Sequence, residues 1–600
     1  MVHFFPKRDS RGLWVRRLVF LGLLLVASWH PDDRLLAGIF VVFATTILDR
    51  RGLTIAAGVV LVTLLYHWDQ AAACFGVFGY TMFFLSLAGL RPKRAALVGF
   101  GFGAGTAVLN LRWLVTEFDA NWAGLILLII SFYGGIFMAL VAALLRQPWV
   151  RRRGWLGLGL TILVLPTLDY LRVETPRFGI GNLYSGHLVV ANVYLAQAAH
   201  WVGAGGLSAL MVFCSYAAAN WWFHERQTRW APRIAVRRLS RWRFGLAMAL
   251  VLLLMAAGAL DRYNSRRLQD SQTLKIAVIQ SGLPFEVVSA EQASPSPTQP
   301  TKEGLPSEVP RTDESPTANY ADSLTAYLNA GTDCDLLFLP EGAISVGEWN
   351  DANDPNAEPL MTLSDLQREF GAGINSCTVT GAMVREQVGQ TLGFRNTALS
   401  LDAKLQILGQ VDKQFGAPFV ETNPFRNIPV LEQIGEKATH LSRQMSPQWN
   451  SAVLPIGSGL RGVVAICNEH QLPDIWSRRG VDNLASINFQ LVLSDVSWFD
   501  DSDEERNQSR LARRLLAVKY RRPLLYVANS GSEFWDSNGD LVHALDPHAG
   551  FGIWDVSIPR LKAEIRPGWR PPNEAWPLLL FCALAVCRWL SQKKGNRKPI

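Results

Sequence analysis

Asp335-Leu336-Leu337-Phe338-Leu339-Pro340-Glu341 decides how the second half of this chain folds. Four apolar residues run without a polar interruption and end at a Pro-Glu pair. A strand with one wet face would alternate; an unbroken apolar run reads as a strand covered on both faces. Lys275–Gln280, Ser376–Val384, Asn396–Leu401, Gly462–Cys467 and Leu491–Ser494 read the same way. Helical patterns lie between them at Tyr320–Ala330, Leu363–Ala372 and Asn507–Arg522. Doubly covered strands that alternate with helices predict an α/β fold. Residues 290–318, rich in Ser, Pro, Thr and Glu, read as a flexible insertion.

The first half follows a different grammar. Of 600 residues, 49% are hydrophobic and only 18% charged, with Trp 21 and Phe 30; soluble chains sit nearer a quarter charged. Apolar runs near 14–30, 35–48, 52–66, 71–90, 95–115, 122–145, 154–172, 189–221 and 244–260, with a last one at Trp576–Leu590, read as membrane helices, because a spanning segment must satisfy its own backbone. The 35–48 run is short for a span. Basic clusters fall at Asp49-Arg50-Arg51, Arg91-Pro92-Lys93-Arg94, Arg151-Arg152-Arg153, Arg226–Arg243 and Lys593–Lys598. The loops between them, such as His30-Pro31-Asp32-Asp33 and Thr116-Glu117-Phe118-Asp119, are acidic or nearly neutral. This alternation places both termini in the cytoplasm and residues 261–574 across the membrane. It also accounts for the net charge of +8 without nucleic acid. The domains expected are an added helix pair at 1–51, a bundle at 52–260, the α/β unit at 261–574, and a last helix with a basic tail at 575–600. Gly99, Gly101, Gly103 and Gly105 lie inside an apolar span with no strand before them, so they read as helix packing rather than a phosphate loop. The seven Cys form no CxxC pair. Cys467-Asn468-Glu469-His470 has no second ligand pair nearby, which argues against zinc; Cys334 and Cys377 are left open as a pair.

Three residues at strand ends carry the chemistry: Glu341, Lys413 in Gly409-Gln410-Val411-Asp412-Lys413, and Cys467 after Val463-Val464-Ala465-Ile466. Sites in α/β sheets form at strand ends. A thiol needs a base, and Glu341 can take its proton; an ammonium favours the thiolate and then the tetrahedral oxyanion. Each residue alone also fits a bland role: core thiol, capping carboxylate, surface amine.

The order Glu, Lys, Cys resembles the nitrilase superfamily, and the preceding spans narrow the resemblance to the bacterial apolipoprotein N-acyltransferases, over roughly 52–592. Leu339-Pro340-Glu341-Gly342-Ala343-Ile344, Lys413 with Pro418-Phe419 and Glu421, Ala465-Ile466-Cys467-Asn468-Glu469, Ser494-Asp495-Val496-Ser497-Trp498-Phe499, and Arg522-Pro523 with Asn529-Ser530-Gly531 are similar to that family's elements. So are Asn110-Leu111-Arg112-Trp113 and Asp169-Tyr170-Leu171-Arg172 in the membrane half. The chain departs at Asn468, where the family has Tyr, at Val420 for Gly, and at Lys519 for an acidic residue of the late helix; Phe285 stands in poorly for an aromatic after the first strand.

The resemblance implies an αββα sandwich on a helical bundle in the bacterial cytoplasmic membrane, the sandwich on the periplasmic side. It implies transfer of an acyl chain from a phospholipid, through a thioester on Cys467, to the α-amine of a diacylglyceryl-cysteine apolipoprotein, with no cofactor. Glu421 and Glu469 are candidate carboxylates behind Lys413, with capping an equal reading for Glu469. Asn468, Phe419, Trp498 and Phe499 are candidates for the substrate side. Phe415, Phe425 and Trp535 read mainly as packing. The rival readings are a membrane-anchored amidase or nitrile hydrolase, a non-catalytic member of the fold and, last, a transporter. Acyl-chain and headgroup preference, client lipoproteins and oligomeric state are not legible.

Overall fold

The structure, a computed structural model, describes residues 59, 72–111, 113, 120–151, 155–174, 184–227, 234–268, 271–281, 316–346, 361–388, 391–417, 421–422, 451–457, 459–481, 486–496, 502–560 and 574–595. The helix pair expected at 1–51 and nearly all of the 290–318 insertion lie outside them.

The membrane half is helical: α1 (Ala72–Ser86), α2 (Pro92–Leu111), α3 (Ala120–Leu145), α4 (Trp155–Glu174), α5 (Ala199–Gln227) and α6 (Ile234–Leu268). Five helices among the described residues, within α2 to α6, are long and apolar enough to cross a membrane; twenty residues at 1.5 Å each span about 30 Å. The glycine run of α2 is a packing surface. A Cβ on Gly99 would sit 2.2 Å from the Met138 carbonyl oxygen, and one on Gly103 would sit 2.3 Å from that of Gly134. The backbones of α2 and α3 therefore touch where a side chain would not fit.

One expectation changes. The 189–221 run is not a single span: short helices at His187–Val190 and Val193–Ala196 precede α5. Asn192 starts the second by accepting from Tyr194 N and Leu195 N, each at 3.1 Å. Within α5, Gly203 takes φ +66 and breaks the helix. Hydropathy reads apolarity and is blind to both interruptions.

The α/β half contains β1 (Ser271–Ile279), α7 (Pro316–Asn329), β2 (Leu336–Phe338), β3 (Ile344–Val346), α8 (Leu363–Phe370), β4 (Cys377–Val388), β5 (Thr391–Leu401), β6 (Ile407–Asp412), β7 (Val453–Ile456), β8 (Leu460–Ile466), β9 (Phe489–Ser494), α9 (Asp503–Tyr520), β10 (Leu524–Ala528), β11 (Glu533–Trp535), β12 (Leu541–Ala544) and β13 (Phe551–Pro559); α10 (Trp576–Gly595) follows. One sheet has seven strands, ordered β13-β1-β2-β4-β5-β6 with β3 beside β4; the other has six, β12-β11-β10-β9-β8-β7. Alternation within strands fixes the layers. Ile276, Val278, Val464, Ile466, Leu491 and Leu493 meet between the sheets. Ala277, Ile279 and Leu337 face the other way, against Leu324 of α7 and Leu366 of α8. Val463, Ala465 and Val492 pack with Leu515 and Leu516 of α9 in one core continuous with Leu195 and Met211 of the membrane half. The result is an αββα sandwich, as the resemblance implies, whose last helical layer rests on the bundle. Arg514 Nη1 donates to Ala191 O at 3.0 Å and Gln508 Nε2 to Asn110 O at 2.6 Å across that junction.

Candidate active site

The site is built from the ends of β2, β6 and β8. After β2, Leu339 N donates to Val379 O at 2.8 Å and Gly381 N to Pro340 O at 3.0 Å. A Cβ on Gly381 would lie 2.5 Å from Glu341 Cα, so only glycine lets β4 press this close. Gly342, at φ +67, turns the chain away. Glu341 is thereby held 5% exposed. Its Oε1 accepts from Asn396 Nδ2 at 2.5 Å and from Lys413 Nζ at 3.2 Å; its Oε2 accepts from Asp495 N at 2.8 Å. Lys413 follows β6 and is tied back by its own N–H to Asn396 O at 2.8 Å. Its ammonium also reaches Glu421 Oε1 at 2.8 Å, while Glu421 Oε2 accepts from Ala417 N at 2.7 Å. Glu421 thus ties the Lys413 ammonium to the backbone of Ala417.

Cys467 ends β8 and opens a 3₁₀ turn, Cys467–Gln471, at φ +53. A non-glycine residue there is strained by about 1–3 kcal/mol, and the surroundings enforce it. His470 Nδ1 donates to Cys467 O, and its Nε2 accepts from Ser509 Oγ at 2.6 Å. Burial, with Arg513, lowers the His470 pKa to about 3, so this ring stays neutral and serves the turn. Glu469 bonds to backbone N–H groups and to Arg479. Its Oε2 accepts from Ile466 N at 2.8 Å and Arg479 Nη1 at 3.1 Å, its Oε1 from Gln414 N at 2.8 Å and Phe415 N at 3.0 Å. Arg479 also donates to Val464 O at 2.7 Å and to Asp412 O. Glu469 and Arg479 together lock the Lys413 loop to the Cys467 strand, and no bond runs from Glu469 to Lys413 among the described residues.

The electrostatics follow from burial. Burial raises the Glu341 pKa above the ordinary carboxylate range, with Lys413 opposing. Burial and the Glu341 charge push the Cys467 thiol well up, again against Lys413. Burial pulls Lys413 down, but Cys467, Glu341 and Glu421 outweigh it and the amine stays protonated. The resting thiol therefore keeps its proton and must lose it to a neighbour during attack.

Asn468 Oδ1 is buried without a hydrogen-bond partner among the described residues. Phe419, Trp498, Phe499, Phe425 and Phe285 lie outside those residues. Trp535 is core: it is 2% exposed and its Nε1 donates to Glu533 Oε2 at 2.9 Å. Cys334 and Cys377 are both free thiols, and Cys334 Sγ meets the Tyr327 hydroxyl at 2.9 Å. Among the described residues no three His, Cys, Asp or Glu gather as a metal site. Lys519 is buried, and its Nζ meets Glu574 Oε1 and Pro473 O, each at 2.6 Å.

The sequence reading gave no site role to Asn396, Arg479 or Asn529, nor to the backbone of Asp495, although it quoted the segments that hold Asn529 and Asp495. Asn396 stood in an apolar strand, where a buried amide signals a polar partner. Asn529 Nδ2 donates to Asp495 Oδ1 and its Oδ1 accepts from Val496 N, both at 2.8 Å, which fixes the loop that donates to Glu341.

Residues 57–217 match the family described as the apolipoprotein N-acyltransferase N-terminal domain. The apolipoprotein N-acyltransferase of Rhizobium leguminosarum bv. trifolii (strain WSM2304) is 25% identical over 571 residues, 90% of this chain and 96% of its own. That of Vibrio parahaemolyticus serotype O3:K6 (strain RIMD 2210633) is 24% identical over 535 residues, 85% of this chain and 91% of its own. Among solved structures, Saccharomyces cerevisiae Nit3 of the nitrilase superfamily matches 47% of this chain and 90% of its own, at 13% identity and a TM-score of 0.29. Through its membrane half and along most of its length, the chain is similar to apolipoprotein N-acyltransferases.

Proposed function

We propose that this membrane protein is an N-acyltransferase that moves an acyl chain from a phospholipid to the N-terminal amine of a diacylglyceryl-cysteine apolipoprotein, working on the periplasmic face of the bacterial inner membrane. The observation that carries it is the buried set of Glu341, Lys413 and Cys467, mounted on a sandwich whose outer helix rests on membrane helices. The Cys467 thiol attacks the acyl ester carbonyl as Glu341 takes its proton. A C–S bond forms, Lys413 stabilises the oxyanion, and the C–O bond breaks. Glu341 gives the proton to the departing alkoxide, and lysophospholipid leaves. The acceptor amine then attacks the thioester. A C–N bond forms, the C–S bond breaks, and the amine's proton returns to the thiolate through Glu341. Each CH₂ withdrawn into water costs about 0.8 kcal/mol, so a long-chain donor has to be met at the lipid layer, which explains a catalytic domain seated on a bundle.

Intact mass spectrometry of protein incubated with phospholipid tests this. The expected result is one acyl adduct, released by hydroxylamine, absent in Cys467→Ser, and discharged onto a diacylated lipopeptide. Discharge to water alone, with ammonia released from simple amides, would instead favour a membrane-anchored amidase.

A further inference from the structure

The hairpin that joins β11 to β12 is held down at three points. Gln197, just past the short helix Val193–Ala196, donates from Nε2 to Asn538 O at 2.9 Å. Arg514 of α9 donates from Nε to Gly539 O at 3.0 Å, and Arg262 of α6 from Nη2 to Asp540 Oδ2 at 2.5 Å. Arg262 stands in the last turn of the apolar stretch Ser240–Ser265 of α6. The surface around it carries the marks of a membrane–water boundary. Leu252, Leu253 and Leu260 of the same helix are exposed, as are Tyr194, Trp201 and Tyr263. Exposed leucines on a spanning helix face lipid tails, and Tyr and Trp gather where tails give way to headgroups. The Arg262 guanidinium lies 5.7 Å from the centre of the Tyr194 ring. The hairpin is therefore moored at that boundary.

Two apolar side chains follow at once. Leu541 and Val542 open β12 and are 39% and 50% exposed. In a regular strand, neighbours alternate between faces, and one of the two would turn inward. Here the ladder slips: Phe534 pairs with His543 but Trp535 with Leu541. Val542 is thus the extra residue of a β-bulge, and the alternation is broken. β12 is also the last strand of its sheet among the described residues. An edge strand in water is normally guarded by charge or proline; this one offers Leu-Val.

Scattered apolar residues on a surface need no explanation, and Ile407 and Leu408 on β6 are about as exposed. Place separates the two pairs. Next to β6, Gln367 of α8 donates to Leu405 O at 2.9 Å, in the helical layer turned away from the bundle. Leu541 instead follows directly on the Asp540–Arg262 bond. Leu260 lies about 3 Å along α6 from Arg262, so lipid that covers the one reaches the other. We infer that Leu541 and Val542 enter the headgroup layer of the bilayer beside α6, and that this sheet edge rests on phospholipid. The bulge is then a lipid contact of the α/β half itself, added to the seat that the bundle gives α9. The inference needs only the membrane helices and stands apart from the acyl-transfer reading.

The test uses the full-length protein in nanodiscs of phosphatidylethanolamine and phosphatidylglycerol, with a photoreactive benzoylphenylalanine at one position and intact mass read after illumination. Val542→benzoylphenylalanine is expected to gain the mass of one phospholipid, as is Leu253→benzoylphenylalanine on the lipid face of α6. Ile407→benzoylphenylalanine, equally exposed but on the far layer, should gain none. Adding Leu541→Asp should lower the Val542 adduct about fivefold, because a charge is disfavoured where lipid packs, with the Leu253 adduct and the Tm unchanged. No lipid on Val542 while Leu253 is labelled would overturn the inference. So would equal labelling at Ile407, which would make the adduct a report of exposure alone. A crosslink at Val542 that joins two copies of this chain would also overturn it and assign the edge to self-association.

Discussion

Among the described residues, two lysine–glutamate pairs are buried with both partners under a tenth exposed, and their surroundings give them opposite characters. Lys413 and Glu341 are 1% and 5% exposed; Lys519 and Glu574 are 1% and 2% exposed. Around Lys519 every demand is met. Glu574 accepts from Lys519 and from Ala204 N at 2.9 Å and Gly205 N at 2.7 Å, and the Lys519 ammonium also has Pro473 O. Burial pulls Lys519 down, but Glu574, Tyr520 and Asp474 raise it overall. Around Lys413 the charges do not balance: one ammonium faces Glu341, Glu421 and a thiol. In the proposed acyl transfer, the second carboxylate and the strained cysteine are what let this buried pair pass a proton rather than merely hold a charge.

The largest way to break the comparison is to remove the sulfur. Cys467→Ala should abolish the hydroxylamine-labile adduct and lower acyl transfer by more than about 10³-fold, while Lys413, Glu341 and Glu421 keep the domain folded; thermal melting checks the second half of that statement. Glu341→Gln comes next, with thioester formation falling roughly 10²–10⁴-fold as the proton acceptor disappears. At the other pair the same kind of change should strike stability rather than chemistry. Lys519→Met strands a buried carboxylate and should cost about 3–5 kcal/mol, read as a lower Tm, with Lys519→Met/Glu574→Gln recovering part of it and the folded fraction keeping its thioester rate. The smallest and sharpest effect is in pH. Because the Glu341 pKa is raised, its base form accumulates only as pH rises through that raised value. Thioester formation should therefore climb with pH along a limb placed above the ordinary glutamate range, and Glu341→Gln should remove that limb.

The fold was legible wherever one physical rule governed a stretch. Apolar-rich runs gave β2, β4, β8 and β9 to within a few residues, because a doubly covered strand has little room for unpaired polar groups. The long apolar helices α2, α3, α4 and α6 fall on apolar runs read from the sequence. Two kinds of feature escaped. Breaks such as Asn192 and Gly203 are set by a single side chain or dihedral and leave apolarity untouched. The supports of the site, Asn396 under Glu341 and Arg479 under Glu469, come from strands and turns far apart in sequence, so no local window holds both partners. Glu469 shows the limit well: from its neighbours alone it reads equally as a partner of Lys413 or as a cap, and its bonds to Gln414 N and Phe415 N lie outside any local window.

Glu574 stands just before the final helix, yet it closes the gap that Gly203 opens in α5. A Cβ at Gly203 would lie 2.6 Å from its carboxylate oxygen. The catalytic layer is thus buttoned to the bundle from beyond its own carboxyl end. A fragment cut at 261 and 573 would leave the Lys519 ammonium with Pro473 O but no carboxylate, and would lose the apolar seat of α9, so the α/β half is no detachable passenger. Soluble expression calls for the entire chain in detergent or nanodiscs.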